Sequence, residues 1–149
     1  MTKHAGNTTE MAMELGWAMS EMKSCLRQKI QEKINGYDPD LSFELLEIIG
    51  LLWRSDGMNQ QDIGRIVSKD KSSITYLISC LVERGLAKRI TGKKDKRNKQ
   101  VFLTEKGRQK REMIFPLALA VYQRAVGTIK EKEMQQALAL VKKMIINLE

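Results

Sequence analysis

The stretch that decides the fold runs from Asn59 to Gly85 and reads NQQDIGRIVSKDKSSITYLISCLVERG. Residues 59–62 have the outline of a capping box, with Asp in the place of Glu, and predict a short helix that ends near Ser68. Residues 70–84 predict a second helix, with an aspartate at its N-cap and a glycine directly after its end. Only Lys69 separates the two helices. This spacing is typical of a helix-turn-helix, in which the second helix can lie in the major groove of DNA.

Both helices have apolar residues at three- and four-residue steps, a period that predicts one buried face on each. The predicted buried residues are Ile63, Ile66 and Val67 in the first helix and Ile74, Leu77, Ile78, Leu81 and Val82 in the second. We expect the opposite face of the second helix, near its start, to be exposed and to contact DNA. Its residues are Lys71, Ser72, Ser73, Thr75, Tyr76 and Ser79. Small hydroxyl side chains allow close approach to bases and phosphates, although a first turn rich in Ser and Thr also serves simply as a cap.

A basic hairpin is predicted directly after these helices. Leu86–Thr91 and Lys99–Leu103 have the pattern of two short strands. The hairpin carries five cations within seven residues, namely Lys93, Lys94, Lys96, Arg97 and Lys99. A two-stranded ribbon with Arg97 near its tip has the shape needed to enter a minor groove. Asp95 is predicted to pair with Arg97 or another nearby base and to fix the loop. A helix-turn-helix followed by a basic hairpin is a winged helix.

Longer helices are predicted on both sides of this unit. Residues 9–34 have helical periodicity, and a helix over 43–54 follows with a serine at its N-cap. After the hairpin, a helix is predicted from Thr104 to about Val126. It contains Pro116, which lacks a backbone donor and is expected to kink or break the helix. A capping box that begins at Thr128 is predicted to open the last helix. The fold class is therefore mainly α with a small β-hairpin.

The first and last helices carry apolar stripes that the central unit is too small to cover. The stripes consist of Met11, Leu15, Ala18, Met22, Leu26, Ile30 and Ile34, and of Met134, Ala137, Leu138, Val141, Ile145 and Leu148. Packing against the same helices of a second copy would cover them, and this predicts a homodimer. An intramolecular bundle of the two helices is the alternative.

The charge is concentrated on the predicted winged helix. The chain of 149 residues has a formal net charge of +8, but residues 65–111 alone carry +11 and the remainder carries −3. Such a distribution indicates a polyanionic partner. The basic residues lie on a hairpin and on a helix faced with Ser and Thr, not on a strongly amphipathic helix, so double-stranded DNA is favoured over a membrane surface.

Several other classes of protein are disfavoured by what the sequence contains. There is no apolar run long enough to span a membrane, and residues 1–7 do not resemble a secretory signal. Cys25 and Cys80 are too few for a disulfide framework or a zinc finger. His4 lies in a predicted mobile tail, so we expect no histidine-based catalysis, no metal site and no cofactor. The phosphate-binding glycine loops and nucleophile spacings of enzymes are also missing. We expect a cytoplasmic protein that is not an enzyme.

Several motifs, in order and with family-like spacing, resemble the MarR (multiple-antibiotic-resistance regulator) family of transcription factors. They are Leu41-Ser42, Asn59-Gln60-Gln61-Asp62-Ile63, Asp70-Lys71-Ser72-Ser73-Ile74-Thr75, Leu81-Val82-Glu83-Arg84-Gly85-Leu86, Arg89, Asp95-Lys96-Arg97 and Leu103-Thr104-Glu105-Lys106-Gly107. The resemblance covers about residues 41–111. One position departs from it, because Tyr76 stands where the family often has Arg. Tyrosine cannot make a bidentate contact with guanine, although it can bond a phosphate.

The resemblance implies one domain over 1–149, with a winged-helix DNA-binding region at 41–111 and dimerisation helices at 1–35 and 112–149. It implies a homodimer that binds a palindromic operator, acts as a repressor and is released by a small aromatic or amphipathic ligand. Arg89, together with Asp95, is expected to support the hairpin. The candidate residues for a ligand pocket are Trp17, Met13, Met22 and Trp53.

Two other functions stay open at this point. The first is a winged-helix module for contacts between proteins, against which the basic centre argues. The second is a redox-sensing regulator, because some members of the family sense peroxides through a thiol on the first helix, where Cys25 lies. No activating neighbour of Cys25 is visible in the sequence, so we expect this thiol to be buried and inert. Cys80 is expected to lie on the outer side of the second helix of the helix-turn-helix.

Overall fold

The computed structural model describes residues 2–95 and 97–149, and side chains from residue 6 onward, so the His4 side chain, Lys96 and what was expected of their chemistry lie outside the described part. The backbone at His4 belongs to a helix and not to the tail that was expected. Six helices and three strands are found in that part of the chain. They are α1 (Thr2–Asn35), α2 (Phe43–Arg54), β1 (Met58–Asn59), α3 (Gln60–Ile66), α4 (Lys71–Glu83), β2 (Ala87–Thr91), β3 (Lys99–Leu103), α5 (Glu105–Val126) and α6 (Glu131–Leu148). The predicted winged helix-turn-helix, mainly α with a small hairpin, is confirmed.

Polar side chains at the N-caps explain where most of these helices begin. The side chains of Ser42, Asn59, Asp70 and Thr104 accept hydrogen bonds from backbone amides in the first turns of α2, α3, α4 and α5, respectively. Each bond satisfies one of the donors that a helix start leaves free, and such a cap typically stabilises a helix by about 1 kcal/mol. Gly85 follows the C-cap residue of α4, Arg84, and has a left-handed backbone with φ of 71°.

The core lies under the winged helix and extends to one end of α1 and α5. Its fully buried members include Ile30 and Ile34 of α1, Ile48 of α2, Ile78 of α4 and Ile114 of α5. Ile30, Ile34 and Ile78 belong to the apolar stripes that the periodicity predicts, whereas no stripe was predicted for the helix that carries Ile114. Ile66 is an exception, because its side chain is 53% exposed although it was predicted to be buried. It occupies the last turn of α3 and lines an open cavity beside α2 and α5, whereas the next residue, Val67, is buried.

The sheet contains one strand that was not predicted. Met58 pairs with Val101, and Asn59 pairs with Gln100, so β1 joins the hairpin at the outer edge of β3 in the order β1-β3-β2. A strand of two residues is too short for an alternating pattern to be visible. β1 places the start of α3 beside the base of the wing.

Three helix predictions need correction. Pro116 does not break α5, which runs without interruption from Glu105 to Val126. The last helix begins at Glu131 and not at the predicted capping box opened by Thr128, because the Glu133 carboxylate accepts a hydrogen bond of 2.9 Å from the amide of Lys130. α1 also extends seven residues further towards its start than predicted, to Thr2.

The two ends of the chain leave broad apolar faces uncovered. Among the described residues, α6 contributes none to the core, and Met134, Leu138 and Ile145 are exposed. The first half of α1 is exposed as well, including Trp17. The alternative of an intramolecular bundle therefore does not describe the single chain, since α6 does not cover α1.

Within the described residues there is no helix both long and apolar enough to cross a membrane. The same part of the chain holds no group of three or more His, Cys, Asp or Glu residues placed to bind a metal ion.

Candidate nucleic-acid interface

The start of α4 is fixed by its cap and by a tight turn after α3. Ser68 has a left-handed backbone, with φ of 54°, and the Lys69 amide donates to the Gly64 carbonyl at 2.9 Å. The Asp70 carboxylate accepts from the Ser73 amide at 2.8 Å. Hydrogen bonds from the backbone and side chain of Ser73 lower the pKa of Asp70 below its ordinary value of 3.8. α4 is therefore held firmly at the end that was predicted to meet DNA.

Only part of the predicted DNA-contacting face of α4 is open to solvent. Lys71, Ser72 and Tyr76 are exposed, and the Tyr76 side chain is 69% exposed. A hydrogen bond with Cys80 is the main cause that raises the pKa of Tyr76 above its ordinary value of 10, and the negative charge of Glu83 adds to it. Its hydroxyl is therefore protonated at neutral pH and can donate to a phosphate oxygen. Ser73 is half-buried beside the cap.

Thr75 and Ser79 turn towards neighbouring elements, which corrects the prediction that they are exposed. The Thr75 hydroxyl donates to the Lys71 carbonyl at 2.8 Å and accepts from the Gln60 amide at 2.9 Å. The Ser79 hydroxyl accepts from the Arg89 guanidinium at 3.3 Å. Both residues are half-buried and connect α4 to α3 and β2. Periodicity separates the two sides of a helix, but it does not show which neighbour covers the edges between them.

Arg89 connects the wing to α4. Its Nη2 atom lies 3.3 Å from the Ser79 hydroxyl and 3.5 Å from the Thr75 carbonyl oxygen. Arg89 is half-buried on β2, so its charge supports the angle between hairpin and helix and does not face outward. Its expected role as a support of the wing stays a prediction.

The wing tip is organised by its own main chain. The Asp95 carboxylate accepts from the Arg97 amide at 2.9 Å, and the Gly92 amide donates to the Asn98 carbonyl at 2.9 Å. Asp95 thus bonds Arg97 through its main-chain amide and not through its side chain, because a short aspartate closes a turn on a nearby amide more readily than it reaches a long side chain. A pairing with Lys96 lies outside the described residues. Arg97 stays exposed, as do Lys93 and Lys94, whereas Lys99 is half-buried.

A cationic cleft of about 530 Å³ lies between α3, the start of α4 and the wing. Its cations are Arg65, Lys69, Lys71, Arg97 and Lys99. Sequence reasoning did not select Arg65, which is exposed in the last turn of α3, or Lys69, which lies in the turn between α3 and α4. The cleft joins the predicted helix face and the predicted wing into one positive surface, where a phosphate backbone would be attracted.

A second cavity, of about 390 Å³, lies between α2, α5 and the end of α3. It is mainly apolar, with Phe43, Leu51 and Tyr122 among its lining residues. Arg111 is its most constrained cation, because the guanidinium carbon lies 4.2 Å from the Trp53 ring centre and 3.8 Å from the Phe115 ring centre. An arginine held between two aromatic rings keeps its charge and its orientation.

The four candidate pocket residues do not come together in the single chain. Trp53 is half-buried and packs on Arg111 behind the second cavity. Met13 and Trp17 lie on the exposed first half of α1, and Met22 lines a separate, shallow cavity of about 220 Å³ with Cys25.

The two cysteines differ in their exposure to solvent. The Cys25 side chain is exposed, so the prediction that it is buried is wrong for the single chain. Leu26, its neighbour, faces the core instead, and Cys25 lies on the side of α1 next to Val121 and Arg124 of α5. Cys80 is half-buried on α4 and interacts with Tyr76.

Known proteins share this architecture. Residues 39–104, the winged-helix part, match the family model of the B-block binding subunit of TFIIIC. The chain is 30% identical over 122 residues to the HTH-type transcriptional regulator YkoM of Bacillus subtilis, and the match covers 81% of this chain and 77% of YkoM.

Solved structures are similar to this chain over the winged helix and also over the flanking helices at both ends of the chain. A MarR-family transcriptional regulator from Silicibacter pomeroyi aligns with a TM-score of 0.80 at 21% identity, over 91% of this chain and 90% of the other. The MepR–DNA complex of S. aureus aligns with a TM-score of 0.73 at 23% identity, over 90% and 96% of the two chains. CouR from Rhodococcus jostii RHA1, bound to p-coumaroyl-CoA, aligns with a TM-score of 0.75 at 23% identity, over 87% and 90%.

The winged helix, its positive surface and the two arms thus agree with the match to YkoM over most of both chains. This chain belongs to the MarR family and is a DNA-binding transcriptional regulator.

Proposed function

We propose that this protein binds a palindromic operator as a homodimer, represses transcription there and leaves the DNA when a small aromatic or amphipathic anion binds. The observation that carries the proposal is the continuous positive surface formed by the start of α4, the cationic cleft and the exposed Arg97 of the wing. In this arrangement α4 lies in the major groove, and the wing enters the minor groove beside it, where the potential is more negative.

We assign contacts with DNA bases and contacts with DNA phosphates to different residues. Ser72, which is exposed, and Ser73, which is half-buried beside the cap, are proposed to contact base edges. Tyr76 and the lysines at 71, 93, 94 and 99 are placed for phosphates, which fix the register of the protein on the duplex. Thr75 and Ser79 act indirectly, because their hydroxyls hold the angle of α4 against α3 and β2.

The exposed apolar stripes support the homodimer. Residues 1–35 and 112–149 are proposed to form the dimerisation arms of a single domain, with residues 41–111 as the DNA-binding region between them. A symmetric pair of such chains presents two copies of α4, whose half-site centres we expect to lie about one helical turn apart, roughly 10 bp.

The cavity between α2, α5 and α3 is proposed as the effector site. It has an apolar lining with a cation, Arg111, that is held between two rings, and this combination suits an aromatic ring with a carboxylate. CouR was solved with p-coumaroyl-CoA, which contains a hydroxylated aromatic acyl group. A ligand that binds better to the DNA-free dimer shape would release the operator.

Replacement of Arg97 by alanine should weaken binding to the operator by about tenfold and lower the slope of log affinity against log salt by about 0.9, the value for one lost phosphate contact. The DNA is a duplex selected by the wild-type protein from a random pool, which should itself be palindromic. Affinity is measured by fluorescence anisotropy at several salt concentrations.

Lys33→Ala is the matched control for Arg97→Ala, because it removes one positive charge from an exposed position at the end of α1. It should leave both affinity and slope nearly unchanged. Equal behaviour of the two variants would contradict the role of the wing. A wild-type protein that retained no duplex DNA in a salt-sensitive manner would contradict the proposed function and would instead indicate a module for contacts between proteins.

Replacement of Arg111 by leucine should reduce binding of hydroxylated aromatic carboxylates by about tenfold or more, because a charge-assisted hydrogen bond is lost. The probes are p-coumarate and its uncharged amide, titrated by calorimetry. We expect the wild-type protein to bind the acid more tightly than the amide and the variant to treat them alike. An acid that bound both proteins equally well would show that Arg111 is not its partner.

A further inference from the structure

The carboxylate of Asp38 connects the end of α4 to α5. Asp38 lies in the turn between α1 and α2, and its side chain is only 11% exposed. Its Oδ2 atom accepts from the Arg84 guanidinium at 2.6 Å and from the Lys110 ammonium at 3.1 Å. Arg84 is the residue that ends α4, and Lys110 belongs to α5. A single group therefore connects three parts of the chain that are distant in sequence.

Further contacts place this junction on one face of α5. The Lys106 ammonium donates to the Arg84 carbonyl at 3.0 Å, and the Tyr37 hydroxyl lies 3.1 Å from the Met113 sulfur. Lys106, Lys110 and Met113 follow one another at helical steps and share a side of α5. The residues of α5 that line the effector cavity, such as Arg111 and Phe115, lie roughly 130–170° further around the same helix.

The charges at the junction depend on each other. Burial opposes ionisation of Asp38, but the hydrogen bonds and charges of Arg84 and Lys110 outweigh it and lower the pKa of Asp38 below 3.8. The carboxylate is therefore charged at neutral pH, and its stabilising contribution is lost only as the pH falls below that value. The Nη1 atom of Arg84 is buried and has no hydrogen-bond partner among the described residues, so Arg84 relies on Asp38.

We infer that Asp38 is a positioning residue for operator recognition: it fixes the angle of α4 against α5 and thereby the distance between the two recognition helices of the dimer. The inference rests on the proposed function, because the distance has meaning only for a dimer on two half-sites. α5 also carries the proposed effector cavity on its other face. A rotation of α5 on ligand binding would therefore be transmitted through Lys110 and Asp38 to Arg84 at the end of α4.

The test compares Asp38→Asn with the wild-type protein on three duplexes. They are the selected operator, the same operator with one base pair inserted between the half-sites, and a single half-site at low salt. Asparagine keeps the shape of the side chain and removes its charge. We expect the variant to bind the single half-site within about twofold of the wild type while its preference for the correct spacing falls by about tenfold, a change of roughly 1.4 kcal/mol.

Asp40→Asn is the control, because it removes the same charge from an exposed position in the same turn, and it should keep the spacing preference. Unchanged spacing preference in Asp38→Asn would overturn the inference, and so would equal losses on all three duplexes, which would make Asp38 a stability residue only. If the asparagine variant does not fold, Lys110→Met removes the α5 side of the junction and leaves the Asp38–Arg84 pair; unchanged spacing preference there is equally decisive. A wild-type protein with no spacing preference would contradict the proposed function instead.

Discussion

Leu138→Glu should abolish tight operator binding, with a loss of affinity of about 100-fold or more. Leu138 lies in the middle of the α6 stripe and is 55% exposed in the single chain. A glutamate there would have to be buried without a partner at the proposed dimer interface, which costs several kcal/mol. Without the dimer, the second half-site is no longer bound intramolecularly, and avidity of about 10²–10⁴ is lost. Analytical ultracentrifugation gives the oligomeric state, and fluorescence anisotropy on the selected operator gives the affinity.

The control for Leu138→Glu is Gln136→Glu, which introduces the same charge on the opposite side of the same helix. It should remain dimeric and bind DNA as the wild type does. A Leu138→Glu protein that stays dimeric and retains its affinity would show that the α6 stripe is not the interface. If the variant becomes monomeric and still binds the operator tightly, DNA binding does not depend on the dimer.

Gly107→Ala should destabilise the fold by about 3 kcal/mol, at the upper end of the range for overpacked sites. Gly107 is buried in the first turn of α5, where the helix passes directly over the chain between α4 and β2. A Cβ atom at this position would overlap the Leu86 carbonyl oxygen and lie 3.2 Å from a methyl group of Leu103. The obstacle is main chain, which cannot rotate away as a side chain can. This contact gives a physical reason for the glycine that ends the Leu103–Gly107 motif.

Differential scanning calorimetry at one fixed protein concentration measures the effect of Gly107→Ala, and we expect a decrease in Tm of roughly 10 °C. Gly50→Ala is the matched control. Gly50 lies inside α2, where an added Cβ would meet no atom within 4 Å. There the alanine should be neutral or stabilise the helix by up to about 1 kcal/mol. If the Gly107→Ala protein had the same Tm as the Gly50→Ala control, α5 would be able to shift away from Leu86 at little cost in free energy.

The elements with strong local signals were predictable. Capping side chains at Ser42, Asp70 and Thr104 mark helix starts that the structure has at the same places. The change from helical to alternating periodicity marks the hairpin. Such signals act within one turn or one strand, so the sequence contains all of the information. Where the local signal is ambiguous, as at Thr128, or too short, as at β1, the prediction was wrong or missing.

The candidate site was predictable only in outline. Its charge and its position on the start of α4 and the wing follow from the order of residues along the chain. The inward direction of Thr75 and Ser79, the main-chain partner of Asp95 and the exposure of Cys25 do not follow from it. Each of these depends on which neighbouring element covers an edge of a helix or loop, and that is set by crossing angles between elements.

The sequence by itself determined that this protein is a basic winged helix with long apolar arms, because caps, periodicity and local charge are properties of adjacent residues. Only the tertiary structure decided how α4 is held. Residues 38, 84 and 110 meet at one buried carboxylate, and Arg111 lies between Trp53 and Phe115 at the cavity proposed for the effector. Such junctions join residues far apart in the chain, and their energies arise from burial and geometry that exist only after the elements have packed.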